Sequence, residues 1–137
     1  MRILALDHGT KRIGVAVSDE MKMIAMPLEW ILAKPFADFL VRLKAILREK
    51  EVELVLVGMP RNMDGSYGPA ALKVQDFVAA LKNAITIPIA TWDERLTSAE
   101  ANRVLRDSEM SIKRRGEVVD RLAAVLILQS WMTAKNF

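Results

Sequence analysis

The sequence predicts an α/β fold: a five-stranded mixed sheet, its second strand antiparallel, with helices on both faces. The first observation is a set of five apolar runs of strand length, residues 2–7, 13–18, 24–32, 53–58 and 85–92. The second is that helical periodicities separate the later runs, and strands that alternate with helices pair in parallel through right-handed crossovers. The third is a tight turn at Gly9 and Thr10, which joins the first two runs as an antiparallel hairpin.

The individual runs carry the marks of strands. Residues 2–7 (RILALD) are apolar and end in a polar cluster, which indicates a buried strand. Pro27 lies inside the third run and predicts an edge position or a bulge, because proline has no N–H to donate to a neighbouring strand. Residues 53–58 (ELVLVG) are rich in β-branched and other apolar side chains and stop at glycine, which is typical of a buried parallel strand.

The helices follow from spacing and end signals. Apolar residues recur every three or four positions over 36–50, and a second helix over 69–83 opens with Pro69, a favoured first-turn residue. Thr97 and Glu100 fit a capping box and predict a helix over 98–107. A polar, basic loop over 108–116 and a final, largely apolar helix over 117–134 complete the predicted order.

Composition limits the class of protein. The 137 residues, 52% of them hydrophobic, predict a single folded domain over 1–137. The absence of cysteine excludes disulfides and zinc–thiolate sites. No apolar run approaches the roughly 20 residues that span a bilayer, and the first ten residues turn polar too soon for a secretory signal, so we expect a cytoplasmic protein. The net charge of +3 permits a polyanionic partner.

Three acidic positions are candidates for chemistry. Asp7 ends the first strand beside a glycine turn, and Asp93 with Glu94 follows the last strand. Ligand sites of α/β sheets lie beyond the carboxyl ends of the parallel strands, where both positions fall. Each has a purely structural alternative: Asp7 can satisfy backbone donors of the turn, and the pair can bind Arg95 or cap the next helix.

Asp120 is the third acidic candidate. At 100° per residue it shares a helix stripe with Ala124, Ile127 and Trp131, so the position lies on the apolar side. A buried carboxylate needs a compensating cation, which is either a metal ion or a basic side chain from a strand end. Converging carboxylates favour hard divalent ions, Mg²⁺ or Mn²⁺, and a pair of such ions serves in-line displacement at a phosphodiester.

Basic and amide side chains near these positions are candidates for phosphate contacts. They are Lys11, Arg12, Arg61, Asn62, Arg95, Lys113, Arg114 and Arg115. The loop after the fourth strand, Met59 to Gly68, has no P-loop or GxGxxG signature. His8 receives no role, because a single histidine in a turn is most often incidental.

Four co-linear motifs give the chain a family resemblance. DHGTKRIGVAVSD, VGMPRNMDGSYGP, DERLTSAEA and VDRLAAVLILQSW, in that order and spacing, resemble the YqgF family, also called RuvX. This family is described as Holliday-junction-resolvase-like and as pre-16S rRNA nucleases. The resemblance extends from residue 2 to about residue 132.

The resemblance implies a ribonuclease H-like fold and a bacterial cytoplasmic hydrolase that matures the 5′ end of 16S rRNA. It places the catalytic carboxylates at Asp7, Asp93, Glu94 and Asp120, with Asp7, Glu94 and Asp120 as metal ligands. Because strand side chains alternate between faces, we expect only one of Asp93 and Glu94 to be turned toward the site, and the sequence leaves open which of the two binds the metal. Two departures stand out. His8 replaces the usual phenylalanine, and resolvases of the RuvC type carry a glutamate near the position of Gly58, so this site would recruit the Asp93–Glu94 pair instead.

Alternative functions remain open at the level of sequence. The same fold can act as a resolvase on branched DNA, which requires a dimer, whereas an RNA-cleaving enzyme can be a monomer or a homodimer. A non-catalytic nucleic-acid-binding module would use the same basic residues. The Asp-x-Gly-Thr turn also resembles the phosphate loop of sugar kinases and actin, but those proteins need a second related domain.

Overall fold

The computed structural model describes residues 1–60, 64, 66–93 and 112–135, with the side chains of the last segment from residue 122 onward. The described elements are β1 (Arg2–His8), β2 (Arg12–Ser18), β3 (Ala25–Leu32), α1 (Phe36–Glu49), β4 (Val52–Met59), α2 (Pro69–Ala84), β5 (Ile89–Asp93) and α3 (Ile112–Lys135). Within these ranges no helix is both long and apolar enough to cross a membrane.

The strands form one sheet in the order β3-β2-β1-β4-β5. β1 pairs antiparallel with β2 and parallel with β4, and β4 pairs parallel with β5, so the predicted mixed sheet is confirmed. Pro27 lies on the edge strand β3, beside a register shift opposite Val15 and Ala16. The structure therefore satisfies both predictions for this proline.

Helices cover both faces of the sheet, because side chains alternate between the faces along each strand. Leu4 and Leu6 of β1 belong to a buried cluster with α1 and α2, the α1/α2 face. Ile3 and Ala5 belong to a second buried cluster with α3, the α3 face. The alternation decides which side chains at the carboxyl edge can share a site.

Two predicted boundaries were wrong. The fifth strand begins at Ile89 and not at residue 85, because the Ile85 N–H donates to the Leu81 carbonyl and ends α2, and residues 85–88 then connect the two elements. The last helix begins at Ile112, so 112–116 of the predicted loop are helical, since lysine and arginine are good helix formers and Gly116 alone does not stop the helix. The predicted helix over 98–107 lies outside the described residues.

Candidate active site

Asp7 lies in the centre of a row that crosses the sheet at its carboxyl edge. Asp7 pairs with Gly14 of β2, and Gly14 pairs with Trp30 of β3. Leu6 of β1 pairs with Val57 of β4, so the residues that follow them, Asp7 and Gly58, are neighbours at the same level of the sheet. Gly58 in turn pairs with Trp92 of β5. Both strands beside Asp7 thus carry glycine at its level, and no neighbouring strand side chain fills the space next to this half-buried carboxylate.

This row belongs to the α3 face. Ile3, Ala5 and Asp7 are alternate residues of β1, so their side chains lie on the same face of the sheet. Trp92 packs against the cluster that contains Ile3 and Ala5. Trp92 also donates its indole N–H to the Ser130 hydroxyl of α3 over 3.1 Å. The carboxylate of Asp7 is therefore on the side of the sheet that α3 covers.

Position 120 belongs to α3, and the described contacts of this helix are made by its later residues. The Ala25 N–H at the start of β3 donates to the Gln129 side chain over 3.2 Å, so Gln129 lies by the edge where β1 begins. Ala124, Ile127 and Leu128 precede Gln129 on α3 and are buried against the sheet. Position 120 lies nine residues, about 13 Å, before Gln129.

Asp7 is a similar distance from that edge, since it follows Ile3 by four strand residues, about 13 Å. The predicted stripe is confirmed for Ala124, Ile127 and Trp131, all buried against this face. The side chain of Asp120 itself is outside the described part of the chain.

Asp93 lies on the other face. It ends β5, one residue beyond Trp92. Asp93 and Ile89 are four residues apart, so their side chains lie on the same face of the sheet, and Ile89 packs against the α1/α2 cluster. Asp7 and Asp93 thus reach the same edge of the sheet but alternate to opposite faces. The sequence predicted that one of Asp93 and Glu94 would be turned toward the site, and Glu94 lies outside the described residues.

Among the described side chains, no group of three or more carboxylates or histidines could hold a metal ion. Of the predicted ligands only Asp7 has a described side chain, so this finding concerns one member of the set. Carboxylate oxygens are nevertheless the donors that Mg²⁺ and Mn²⁺ prefer. The strands on either side of Asp7 carry glycine at its level, so no side chain of β2 or β4 lies there, and in these two respects the residues fit a divalent ion.

The turn after Asp7 depends on glycine. The Gly9 N–H donates to the Arg12 carbonyl over 2.9 Å, and a Cβ at Gly9 would lie 2.5 Å from that same oxygen. The Ala33 N–H donates to the Lys11 carbonyl over 2.9 Å and joins the turn to the segment that precedes α1. The turn is thus held at both ends by backbone bonds.

Replacing Gly9 by alanine should lower the free energy of unfolding by roughly 1–3 kcal/mol, because the new methyl group forces the Arg12 carbonyl away. Urea unfolding monitored by tryptophan fluorescence measures this change. Lys11→Ala is the matched control, since Lys11 is exposed and its backbone carbonyl stays in place. Equal stability of Gly9→Ala and wild type would show that the close approach is unimportant.

Two of the predicted phosphate-contacting residues are described together with their side chains. Lys11 is exposed at the tip of the turn, and the Arg12 guanidinium lies 5.7 Å from the ring centre of Trp30. Arg12 precedes Gly14 by two residues on β2 and therefore shares the face of Asp7. Arg61, Asn62 and Arg95 lie outside the described residues, and Lys113, Arg114 and Arg115 are placed only as backbone, at the start of α3.

His8 points away from Asp7 and enters the opposite face. Its ring centre lies 4.6 Å from that of Phe77 on α2. Burial lowers the pKa of the imidazole below 6.5, and the positive charge of Lys73 lowers it further. His8 is thus held as an aromatic ring packed against α2.

The His8→Phe variant should have a flatter pH dependence of stability than wild type. Because the pKa of His8 is lower in the folded chain, the unfolded chain binds more protons as the pH falls below 6.5, and wild type loses stability there. Urea midpoints between pH 8 and pH 5 measure the effect, and His8 is the only histidine in the chain. Parallel curves for the two proteins would contradict this role of His8.

Sequence reasoning missed a group of residues on the α1/α2 face. His8, Phe36, Lys73 and Phe77 line a cavity at the same carboxyl edge. Only the spacing of Lys73 and Phe77, four residues apart on one helix face, could have indicated the group. Their proximity to His8 depends on tertiary packing.

Comparison with solved structures assigns the class. The chain matches Thermus thermophilus RuvC in complex with Holliday junction substrate, with a TM-score of 0.54, 20% identity, and 99% and 96% of the two chains covered. It matches the fowlpox virus resolvase in complex with Holliday junction DNA, with a TM-score of 0.59, 12% identity, and 98% and 99% covered. The fold is that of the resolvases, the predicted ribonuclease H-like fold.

Sequence comparison assigns the family. The model of RuvX, described as a Holliday junction resolvase, matches residues 1–134. Relatives named "Putative pre-16S rRNA nuclease" include one from Koribacter versatilis, 48% identical, with 98% of this chain and 88% of the relative covered. Another, from Thermoanaerobacter pseudethanolicus, is also 48% identical, with 99% of both covered. The chain belongs to the RuvX family, and its predicted class, a nuclease that hydrolyses phosphodiesters in nucleic acid, is confirmed.

Proposed function

We propose that the chain is a metal-dependent endonuclease that matures the 5′ end of pre-16S rRNA in the bacterial cytoplasm. The observation that carries this proposal is the row through Asp7. A half-buried carboxylate at the end of the central strand, with glycine on both neighbouring strands, leaves space for a phosphodiester at its side. The name of the relatives supplies the substrate.

Asp7, Glu94 and Asp120 are the proposed ligands of Mg²⁺ or Mn²⁺, in a site for two ions. When bound, such ions polarise the phosphodiester and lower the pKa of an attacking water. Asp7 lies on the α3 face, the side of the sheet that α3 covers, and Asp93 alternates away from that face. This alternation supports Glu94 as the ligand and leaves Asp93 a supporting role at the edge of the sheet.

Two of the proposed phosphate contacts follow this carboxylate directly in the chain. Lys11 and Arg12 follow Asp7 in the turn, and Arg12 shares its face, so both can bind phosphates that flank the scissile bond. The chain outside the described side chains supplies the others, Arg61, Asn62, Arg95, Lys113, Arg114 and Arg115. We treat residues 1–137 as one nuclease domain, active as a monomer or a homodimer.

A second candidate function is resolution of Holliday junctions, which the fold of the RuvC and fowlpox enzymes favours. A resolvase needs two sites across one junction and therefore a dimer. At Gly58, beside Asp7, this chain lacks the glutamate that RuvC-type resolvases carry near that position, so its ligand set differs from theirs.

A cleavage assay with precursor rRNA and a four-way DNA junction, side by side with Mg²⁺ and Mn²⁺, tests the two candidates. We expect cleavage of the precursor near the 5′ end of 16S rRNA and an intact junction. Paired cuts in the junction with an intact precursor would overturn the proposal in favour of resolution. Salt-sensitive binding of both substrates, without turnover in either ion, would identify a non-catalytic module.

A further inference from the structure

The cavity lined by His8 and Phe77 opens at the carboxyl edge of the sheet, on the face opposite Asp7. It has a volume of about 400 Å³ and is bounded by the end of β1, the segment between β3 and α1, and the middle turns of α2. The residues that define it are His8, Thr10, Lys34, Phe36, Lys73 and Phe77. This volume is within the range of small-molecule sites in proteins, roughly 300–1,000 Å³.

The interior of the cavity is aromatic. The ring of His8 lies 4.6 Å from that of Phe77, and Phe36 meets Phe77 edge-on with the ring centres 6.3 Å apart. Proteins bind unpaired nucleobases by stacking them on rings of this kind, phenylalanine and histidine among them.

The rim of the cavity is polar and mainly cationic. Lys34 and Lys73 are exposed, and the exposed Thr10 adds a hydroxyl. Asp76 is the acidic member of the rim. Two lysines and a hydroxyl around an aromatic pocket are complementary to a nucleotide, with its base inside and its phosphate at the mouth.

Two residues that line the cavity follow Asp7 closely in the sequence. His8 follows Asp7 directly and enters the opposite face, and Thr10 lies in the turn between the two faces. A nucleic-acid strand that crosses this edge can place one phosphodiester at Asp7 and a nearby nucleotide in the cavity. We propose that this cavity binds an unpaired nucleotide of the substrate strand, adjacent to the scissile bond.

This inference rests on the proposed function for its substrate, but nucleotide binding can be measured without cleavage. His8 is the only histidine, so its imidazole gives one assignable set of NMR signals. We would titrate the metal-free protein with each of the four ribonucleoside monophosphates, with ribose 5-phosphate and with inorganic phosphate. We expect saturable shifts of the His8 signals with a nucleoside monophosphate, and smaller shifts with the two phosphates that lack a base.

Two substitutions on α2 form a matched pair for this titration. Ala80 lines the cavity and Ala79 is exposed beside it, so Ala80→Phe should fill the site and abolish the shifts while Ala79→Phe preserves them. Asp7→Asn should also preserve them, because the cavity is on the other face. Absence of saturable shifts with all four nucleotides would overturn the inference, as would undiminished shifts in Ala80→Phe.

A second measurement avoids changes in packing. Lys73→Gln should weaken binding of a metal-free 12-residue single-stranded RNA and reduce the slope of log affinity against log salt by about 0.7, the value for one phosphate contact on a single strand. Lys82→Gln, on the far end of α2, is the control and should change neither. An unchanged slope in Lys73→Gln would contradict the phosphate contact. If precursor rRNA is never cleaved but the His8 NMR signals shift with a nucleoside monophosphate, nucleotide binding in the cavity is supported and the proposed reaction is contradicted.

Discussion

Asp7→Asn should reduce cleavage of precursor rRNA by about a thousandfold or more and leave the fold intact. The change removes a charged ligand of the proposed metal site, and a loss of about 4 kcal/mol of transition-state stabilisation corresponds to this factor. Asn has the same shape as Asp, so the strand pairing of Asp7 with Gly14 should persist. Single-turnover rates with saturating Mg²⁺, and circular dichroism of the same sample, measure both effects.

The control for this prediction is Asp38→Asn. Asp38 is an exposed carboxylate in the first turn of α1, so its replacement removes the same charge away from the α3 face. This variant should cleave at the wild-type rate. If Asp7→Asn retained more than a tenth of the wild-type rate, Asp7 would not be a ligand of a required metal ion.

Glu94→Gln and Asp93→Asn should differ strongly, although the two residues are adjacent. We expect Glu94→Gln to lose about a hundredfold or more of the cleavage rate, because, like Asp7→Asn, it removes a proposed metal ligand. Asp93→Asn should lose less than about tenfold, because Asp93 alternates to the α1/α2 face. Rates at a series of Mg²⁺ concentrations measure the difference.

The dependence on metal concentration separates ligation from a structural effect. Glu94→Gln should need more Mg²⁺ for half-maximal activity, whereas the requirement of Asp93→Asn should match that of wild type. A larger loss of activity in Asp93→Asn than in Glu94→Gln would contradict the assignment of Glu94 as the metal ligand from the alternation of side chains along β5.

Local patterns predicted the sheet well. The apolar runs 2–7 and 13–18, with the glycine turn between them, correspond to β1 and β2 within one residue. The proline at 27 indicated the edge strand and its bulge, and the stripe of Ala124 and Ile127 indicated the buried side of α3. These features depend on the periodic spacing of apolar side chains and on the residue types of turns, both of which are local properties of the sequence.

Features that depend on pairing between distant segments could not be predicted in the same way. The glycines beside Asp7 come from two different strands, and only the register of β1 with β2 and β4 brings them to one level. The cavity at His8 likewise depends on how α2 packs, since Lys73 and Phe77 are more than sixty residues away in sequence. The sequence therefore indicated the importance of Asp7 but not its surroundings.

The location of bound Mn²⁺ tests the central claim most directly. Anomalous diffraction from crystals soaked in Mn²⁺ would locate the ion without any reference to substrate. We predict a peak beside Asp7 on the α3 face, with Glu94 and Asp120 as its other protein ligands, and no peak in Asp7→Asn crystals. A peak held by Asp93 on the α1/α2 face, or a wild-type enzyme active in Mn²⁺ with no ion at Asp7, would contradict it.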